Sequence, residues 1–393
     1  MANEEKKEKL PENGGEKPAG RRTVFRRLSA LALVLLAVLA VVVLTTMEDG
    51  SHFAGLRRWL MYGDSGGTEN QYAYAADQNN RFARLEENLL LVNPNTVQIL
   101  SDDGTALYEL QVNLTAPSVS VGSKQAAVCD VGGTSLYLFS EAGLLRTMEM
   151  EGELCYYAAR LNSRDYLAVT EQKSGYKASV LVYSDSGDLV FHFDSHDAYI
   201  SDAVVTDDCR YLVAVSLDPQ DGAFGSTLLV YDLAAAERVS QCVIRDGLVL
   251  DMALSGQEVI SLCDTRLTIH TLDGQALLDY PYGSLYLHEY ALTGEDFCAL
   301  LLGRYQAGNV CQLMTFDLAG RPLAMREVTE EVLDLSAAGA YLAVLYSDSL
   351  VIYTSDLTEY ARLEGTDYAG EVIMNSDGTA LVLSGTSAWR FLP

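Results

Sequence analysis

One pattern narrows the fold of this 393-residue chain more than any other. A short apolar strand ending on a large residue, followed at once by a small polar turn, returns seven times. The copies are Ile99–Gly104 (ILSDDG), Leu138–Gly143 (LFSEAG), Val182–Gly187 (VYSDSG), Val230–Ala235 (VYDLAA), Ile269–Gly274 (IHTLDG), Thr315–Gly320 (TFDLAG) and Ile352–Leu357 (IYTSDL). Their large residues, at positions 100, 139, 183, 231, 270, 316 and 353, are 39, 44, 48, 39, 46 and 37 residues apart. A second pattern precedes it in several copies: Asp165–Val169 (DYLAV), Arg210–Ala214 (RYLVA) and Ala340–Val344 (AYLAV). Each reads as a strand leaving a turn. Four strands in about 40–45 residues is one blade of a β-propeller. A sheet that small has two faces to bury and can do so only against its neighbours in a ring.

Seven complete units run from Arg81 to about Gly365, followed by three strands at Glu371–Asn375, Thr379–Leu383 and Ser387–Leu392. The missing outer strand is expected from Gln71–Asp77 (QYAYAAD), which alternates suitably. The expectation is an all-β, eight-bladed β-propeller over residues 71–393, with seven blades as the alternative. A sandwich accommodates neither the regular repeat nor the strand number.

The N-terminal part is different. Residues 1–27 hold almost nothing apolar and end in Arg21, Arg22, Arg26 and Arg27, so they read as a disordered basic tail. Leu28 to Leu44 then carry no charge, with seven Leu and five Val. Extended to Met47, the run is long enough to span a bilayer as a helix. Those twelve side chains favour insertion by about 4–7 kcal/mol. The basic cluster on its N-terminal side predicts that the N-terminus stays in the cytoplasm and the C-terminal part lies outside. Thr45, Thr46 and Met47 make a poor cleavage site, so segment 28–47 reads as an uncleaved signal anchor in the cell membrane, with the lipid bilayer as its partner. Residues 48–70 read as a juxtamembrane linker, in which His52–Tyr62 (HFAGLRRWLMY) suits a short interfacial helix.

Up to residue 45 there are eight basic and five acidic residues; the remainder has nineteen against forty-nine, a net of −30. An ectodomain so acidic repels nucleic acid and anionic lipid and suits basic partners, divalent cations or neutral glycans. The seven Cys, an odd number with no C-x-x-C, sit mainly in apolar runs and read as small buried hydrophobes rather than a disulfide framework.

A signal anchor, a Trp59–Gly63 stretch (WLMYG) and an acidic, Tyr-rich propeller together resemble the bacterial domain-of-unknown-function family 5711. The resemblance implies a membrane-anchored propeller and brings no functional residues with it.

No catalytic constellation survives inspection. Gly63–Gly67 (GDSGG) mimics the segment around a trypsin-like serine, but only His52 precedes Ser65, and no folded double barrel does. His270 fills the slot taken elsewhere by Phe or Tyr, so it is expected to be a packed structural ring; Tyr166, Tyr211 and Tyr341 are structural by the same reasoning. His192, Asp194 and His196 alternate on an outermost strand, where polar residues are ordinary. The Asp-rich turns lack the spacing of a calcium loop. No metal and no cofactor is expected.

The connections between blades remain, rich in Tyr and acids: Tyr156, Tyr157, Tyr199, Tyr282, Tyr286, Tyr290 and Tyr368, with Glu153, Asp197, Asp202, Glu289 and Asp367. In a propeller these connections crowd one face around the central channel. Tyr combines flat apolar area with a hydrogen-bonding tip, which suits peptides and sugars. The functional expectation is a membrane-tethered, non-catalytic binding or scaffold module for a protein or envelope glycan. The alternative is an envelope hydrolase or lyase with carboxylates near the channel.

Overall fold

The computed structural model describes residues 67–75, 79–150, 152, 154–220 and 223–393. The expected membrane segment 28–47, the juxtamembrane helix, Ser65 and Glu153 lie outside the described residues. Among the described residues, no helix is long and apolar enough to cross a membrane.

Eight four-stranded antiparallel sheets follow one another along the chain. Blades 1 to 7 span 81–111, 117–149, 156–195, 199–244, 249–281, 286–328 and 332–364. In each, the strands pair in sequence order, and the first strand meets the first strand of a neighbouring blade around the axis in most seams. The first strand is therefore innermost and the fourth forms the rim. Blade 8 takes three strands from the C-terminus (Ala369–Met374, Ala380–Ser384 and Ser387–Leu392) and its rim strand from Gly67–Ala73. The ring thus closes through an N-terminal strand, as the repeat count requires, but that strand lies four residues earlier than expected. Its pairing runs from Gly67 opposite Leu392 to Ala73 opposite Ser387, with an irregularity between Glu69 and Tyr72. Tyr74, expected inside the strand, instead leaves it to pack against the first blade.

The core lies between blades. The middle strands are buried on both faces, as in Leu89–Val92, Phe297–Gly303 and Tyr341–Tyr346. One cluster joins Leu90, Val97 and Ile99 of blade 1 to Ala126, Val128 and Phe139 of blade 2. Equivalent clusters fill the later seams. Burying each such Leu, Val or Phe contributes about 1.5–3 kcal/mol. Side chains also stitch the inner strands together: Ser120 Oγ accepts the Leu161 N–H at 2.9 Å, and Ser336 Oγ accepts the Met374 N–H at 3.0 Å.

The repeated turn has a local cause. At Ser101–Gly104 the Gly104 N–H donates to the Ser101 carbonyl at 2.8 Å, and Asp103 Oδ1 accepts the Thr105 N–H at 3.0 Å. Gly104 has φ 81°, and a Cβ there would stand 2.4 Å from the Cβ of Tyr72. Asp is in this turn to bond its backbone. The same carbonyl bond recurs at Gly187, Gly274, Gly320 and Leu357.

The large residue before the turn is a core position. Phe139, Phe316 and Tyr353 are buried, and so is His270, whose charged form burial disfavours. Tyr341 is buried; Tyr166 and Tyr211 pack against the seams on either side of blade 4. The seven cysteines are unpaired, and burial pushes the thiols of Cys129, Cys263 and Cys298 up to about 12.

Candidate functional site

The inner strands of blades 3 to 8 share a local irregularity. Each carries one extra residue near its start (Tyr157, Ser201, Leu250, His288, Leu333 or Gly370) that has no partner on the second strand. Such bulges re-aim the residue that follows. Those residues are Ala158, Asp202, Asp251, Glu289, Asp334 and Glu371. Blades 1 and 2 have no bulge, and Phe82 and Ser118 hold the matching rung, opposite the penultimate residue of the second strand. Around the channel mouth, three consecutive blades therefore present Phe, Ser and Ala, and five consecutive blades present a carboxylate.

The two ends of this acidic arc are treated differently. Arg160, two residues beyond Ala158, reaches Asp202 at 3.3 Å and Asp251, two blades away, at 3.0 Å. Its other nitrogen donates to the Met252 carbonyl at 2.6 Å. The Tyr290 hydroxyl adds a bond to Asp251 at 3.2 Å. Burial lifts Asp202 to about 6 despite Arg160, while Asp251 pushes it the same way as burial does. Asp334 accepts the N–H groups of Leu335 at 2.9 Å and Val372 at 2.8 Å, the second across the seam to blade 8. Burial raises it to about 7, with Glu371 and Glu289 adding to the rise. Glu289 and Glu371 are also raised, mainly by burial; His288 opposes this for the first and Arg81 for the second. Neither has an ion pair among the described residues.

Two cavities open here. One, of about 200 Å³, is lined by Ser118, Tyr157, Arg160, Ser201, Asp202 and Asp251 among others. The second, of about 430 Å³, adjoins it at Ser118 and Val131 and runs towards Arg81.

The residues expected from sequence divide into three groups. Asp202, Glu289 and Tyr290 do come to the channel mouth, and Tyr157 lines its first cavity. Tyr199, Tyr286 and Tyr368 stand exposed at the starts of inner strands or just before them, as do Asp197 and Asp367 in the connections. Tyr156 and Tyr282 are 2% and 4% exposed, so they are seam-filling residues with no surface to offer a ligand. Tyr156 packs in the cluster of Cys129 and Val169, and Tyr282 in that of Leu262 and Leu302.

Asp251, Asp334, Glu371 and Arg160 were not anticipated. The sequence signal of the acids is a column rather than a motif, an acid at the same place in the first strand of five successive repeats, and Arg160 stands outside that column.

Exposed large apolar side chains are also unevenly spread. Val131, Tyr199, Phe224, Leu250, Tyr286, Tyr305, Val310 and Tyr368 all sit where inner strands begin or second and third strands connect, which is the face of the channel mouth. The other exposed ones, such as Leu145 and Met325, are on rim strands. Among the described residues, the turns of the opposite face carry none.

Among the described residues, no three His, Cys, Asp or Glu groups converge closely enough to hold a metal ion. At the rim, Asp194 is taken by Lys173 at 2.8 Å and by Ser179 at 2.9 Å, and His196 lies against Tyr176 with ring centroids 4.2 Å apart.

Solved structures resemble this ring at the level of fold. BamB from Moraxella catarrhalis is 12% identical, with a TM-score of 0.52, and the match covers 83% of this chain and all of that one (100%). The computationally designed Ika8 protein is 12% identical with a TM-score of 0.60 and the same coverage, 83% and 100%. The C-terminal WD40 domain of Sif2 is 14% identical with a TM-score of 0.59, covering 83% of this chain and 98% of that one. No curated protein matches the chain in sequence. A family of unknown function, DUF5711, matches residues 65–271, more than half of the sequence, and the chain belongs to that family.

Proposed function

We propose that this chain is a membrane-tethered, extracytoplasmic binding module that engages a protein or envelope glycan through the face around its channel mouth. The observation that carries the reading is the one-sided surface: outside the rim strands, every exposed large apolar side chain among the described residues is on that face. Partner-binding surfaces are marked by exposed apolar and aromatic groups with a polar surround. Here they surround a mouth with five carboxylates, which favours a partner bearing basic groups. The tether rests on the apolar segment 28–47 and the basic residues before it.

The test is cross-linking of the full-length protein in cells, followed by identification of captured envelope components. Capture that is lost in a Leu250→Ser, Tyr286→Ala double variant, but kept in a rim variant such as Met325→Ala, supports the reading. Equal capture by both variants, or none above an anchor-only control, overturns it.

One observation favours a second reading, an envelope hydrolase or lyase: five carboxylates line one mouth, with Asp202 and Asp251 held on one guanidinium while burial pushes Asp334 up to about 7. Turnover of isolated cell-wall glycan by the purified protein, abolished in Asp334→Asn, would establish it; no turnover would remove it.

A further inference from the structure

The seam that closes the ring holds a small pocket of about 170 Å³ on the channel-mouth face, between the last blade and the first. Its lining includes Asn80, Phe82, Glu371, Leu383, Gly370 and Gly385. Two acceptors in it lack donors. Asn80 is 4% exposed and its Oδ1 has no hydrogen-bond partner, whereas its Nδ2 is turned towards the Ala75 carbonyl at 3.4 Å. The half-buried carboxylate of Glu371 has neither an ion pair nor a hydrogen bond among the described residues; Arg81 acts on it only at a distance.

A buried acceptor without a donor is unfavourable, and a half-buried carboxylate adds a partly desolvated charge, unless something supplies the missing hydrogens. Water satisfies the amide oxygen but does not neutralise the carboxylate. A cation with several N–H donors does both. The apolar sides suit a hydrocarbon stem: Phe82 and Leu383 flank the acceptors. The mouth is open where the chain has glycine, since a Cβ at Gly370 or Gly385 would meet nothing within 4 Å.

We propose that this closing-seam pocket binds a primary ammonium group, the side chain of a lysine or the amine of an amino sugar, with Glu371 and Asn80 as its acceptors. This rests on the reading of the channel-mouth face as the binding surface and names the group that it recognises. Because the pocket is shared by blades 8 and 1, an occupant would also brace the ring at the seam held by the strand Gly67–Ala73.

The experiment uses the full-length protein in detergent with three probes: Nα-acetyl-lysine methylamide, glucosamine and Nα-acetyl-norleucine methylamide, which matches the first without its charge. Calorimetric titration and thermal unfolding should both respond to at least one amine and not to the norleucine compound. Which amine responds identifies the source. Glu371→Gln should weaken binding by about tenfold or more, as expected on losing a charge-assisted bond. Gly385→Phe, which obstructs the mouth from an exposed turn, should abolish binding while leaving unfolding of the free protein unchanged. Response to neither amine, equal response to lysine and norleucine compounds, or unweakened binding by Glu371→Gln overturns the proposal. If amine binding fails while partner capture still depends on Leu250 and Tyr286, only this inference falls, and the binding face stands.

Discussion

The neutral and the acidic parts of the channel mouth share one backbone plan and differ in what that plan carries. Blades 1 to 3 place Phe82, Ser118 and Ala158 at the rung where blades 4 to 8 place Asp202, Asp251, Glu289, Asp334 and Glu371. The hydrophobic seams behind the two parts are alike, so packing does not require the acids. Carboxylates that burial drives towards neutrality are a cost to the fold. Acids that carry that cost and are confined to one side of a mouth are what support the proposal that this side faces a ligand.

Among substitutions, the largest effect should come from the residue that joins the two parts. Arg160→Ala leaves Asp202 and Asp251 without their cation, and chemical denaturation at pH 7 should show a loss of about 2–4 kcal/mol. A change within experimental error would mean that the arc tolerates its own repulsion.

The acidic part should also reverse the usual pH response of a carboxylate. Asp334 and Asp202 have folded values of about 7 and about 6, both above the ordinary 3.8. Between about pH 4 and 7 the folded state therefore holds more protons than the unfolded chain. Stability from these groups is present at the acid end of that window and is lost as pH rises through it. Denaturation of the free protein should show about 4 kcal/mol less stability at pH 7.5 than at pH 5 from these two groups, with the difference reduced in Asp334→Asn. A protein more stable at the higher pH would contradict the electrostatic account of the arc.

Extending the arc tests its boundary. Ser118→Asp would put a sixth carboxylate on the neutral side, and a loss of about 1 kcal/mol is expected, larger at low ionic strength. An unchanged midpoint at both salt concentrations would show that Ser118 lies outside the field of the arc. The smallest effect on stability belongs to the exposed surface: Tyr286→Ala should stay within about 0.5 kcal/mol of the parent by thermal unfolding. A larger loss would show that Tyr286 packs as a core residue and would remove it from the binding face.

Most of the fold was legible because its cause is local and repeated. The large residue before each turn, the small polar turn and the alternating strands recur with the unit, so His270 and Tyr341 could be assigned to packing from their place in it. The closing strand was legible in kind but not in position. QYAYAAD alternates well, yet the register that pairs Gly67 with Leu392 places the strand earlier and turns Tyr74 against Phe82, with ring centroids 5.4 Å apart. This strand pairing joins segments far apart in sequence, and local alternation does not choose among registers.

The site was only half legible for a related reason. Tyr156 and Tyr282 read as surface connections but are packed into the seams between blades 2 and 3 and between blades 5 and 6. Asp251 and Arg160 lie 91 residues apart in sequence and meet only because the ring brings the inner strands of blades 3, 4 and 5 within reach of one guanidinium. The sequence by itself determined the repeat with its strands and turns, since each follows from spacing within about 40 residues, and it favoured eight blades over seven; the pairing of Gly67–Ala73 with the last strand decided for eight. Only the closed ring decided that five acids, one per blade, act as a single charged arc. Coulomb energy depends on distance through space, and the ring brings to one mouth what the chain spreads over its C-terminal half.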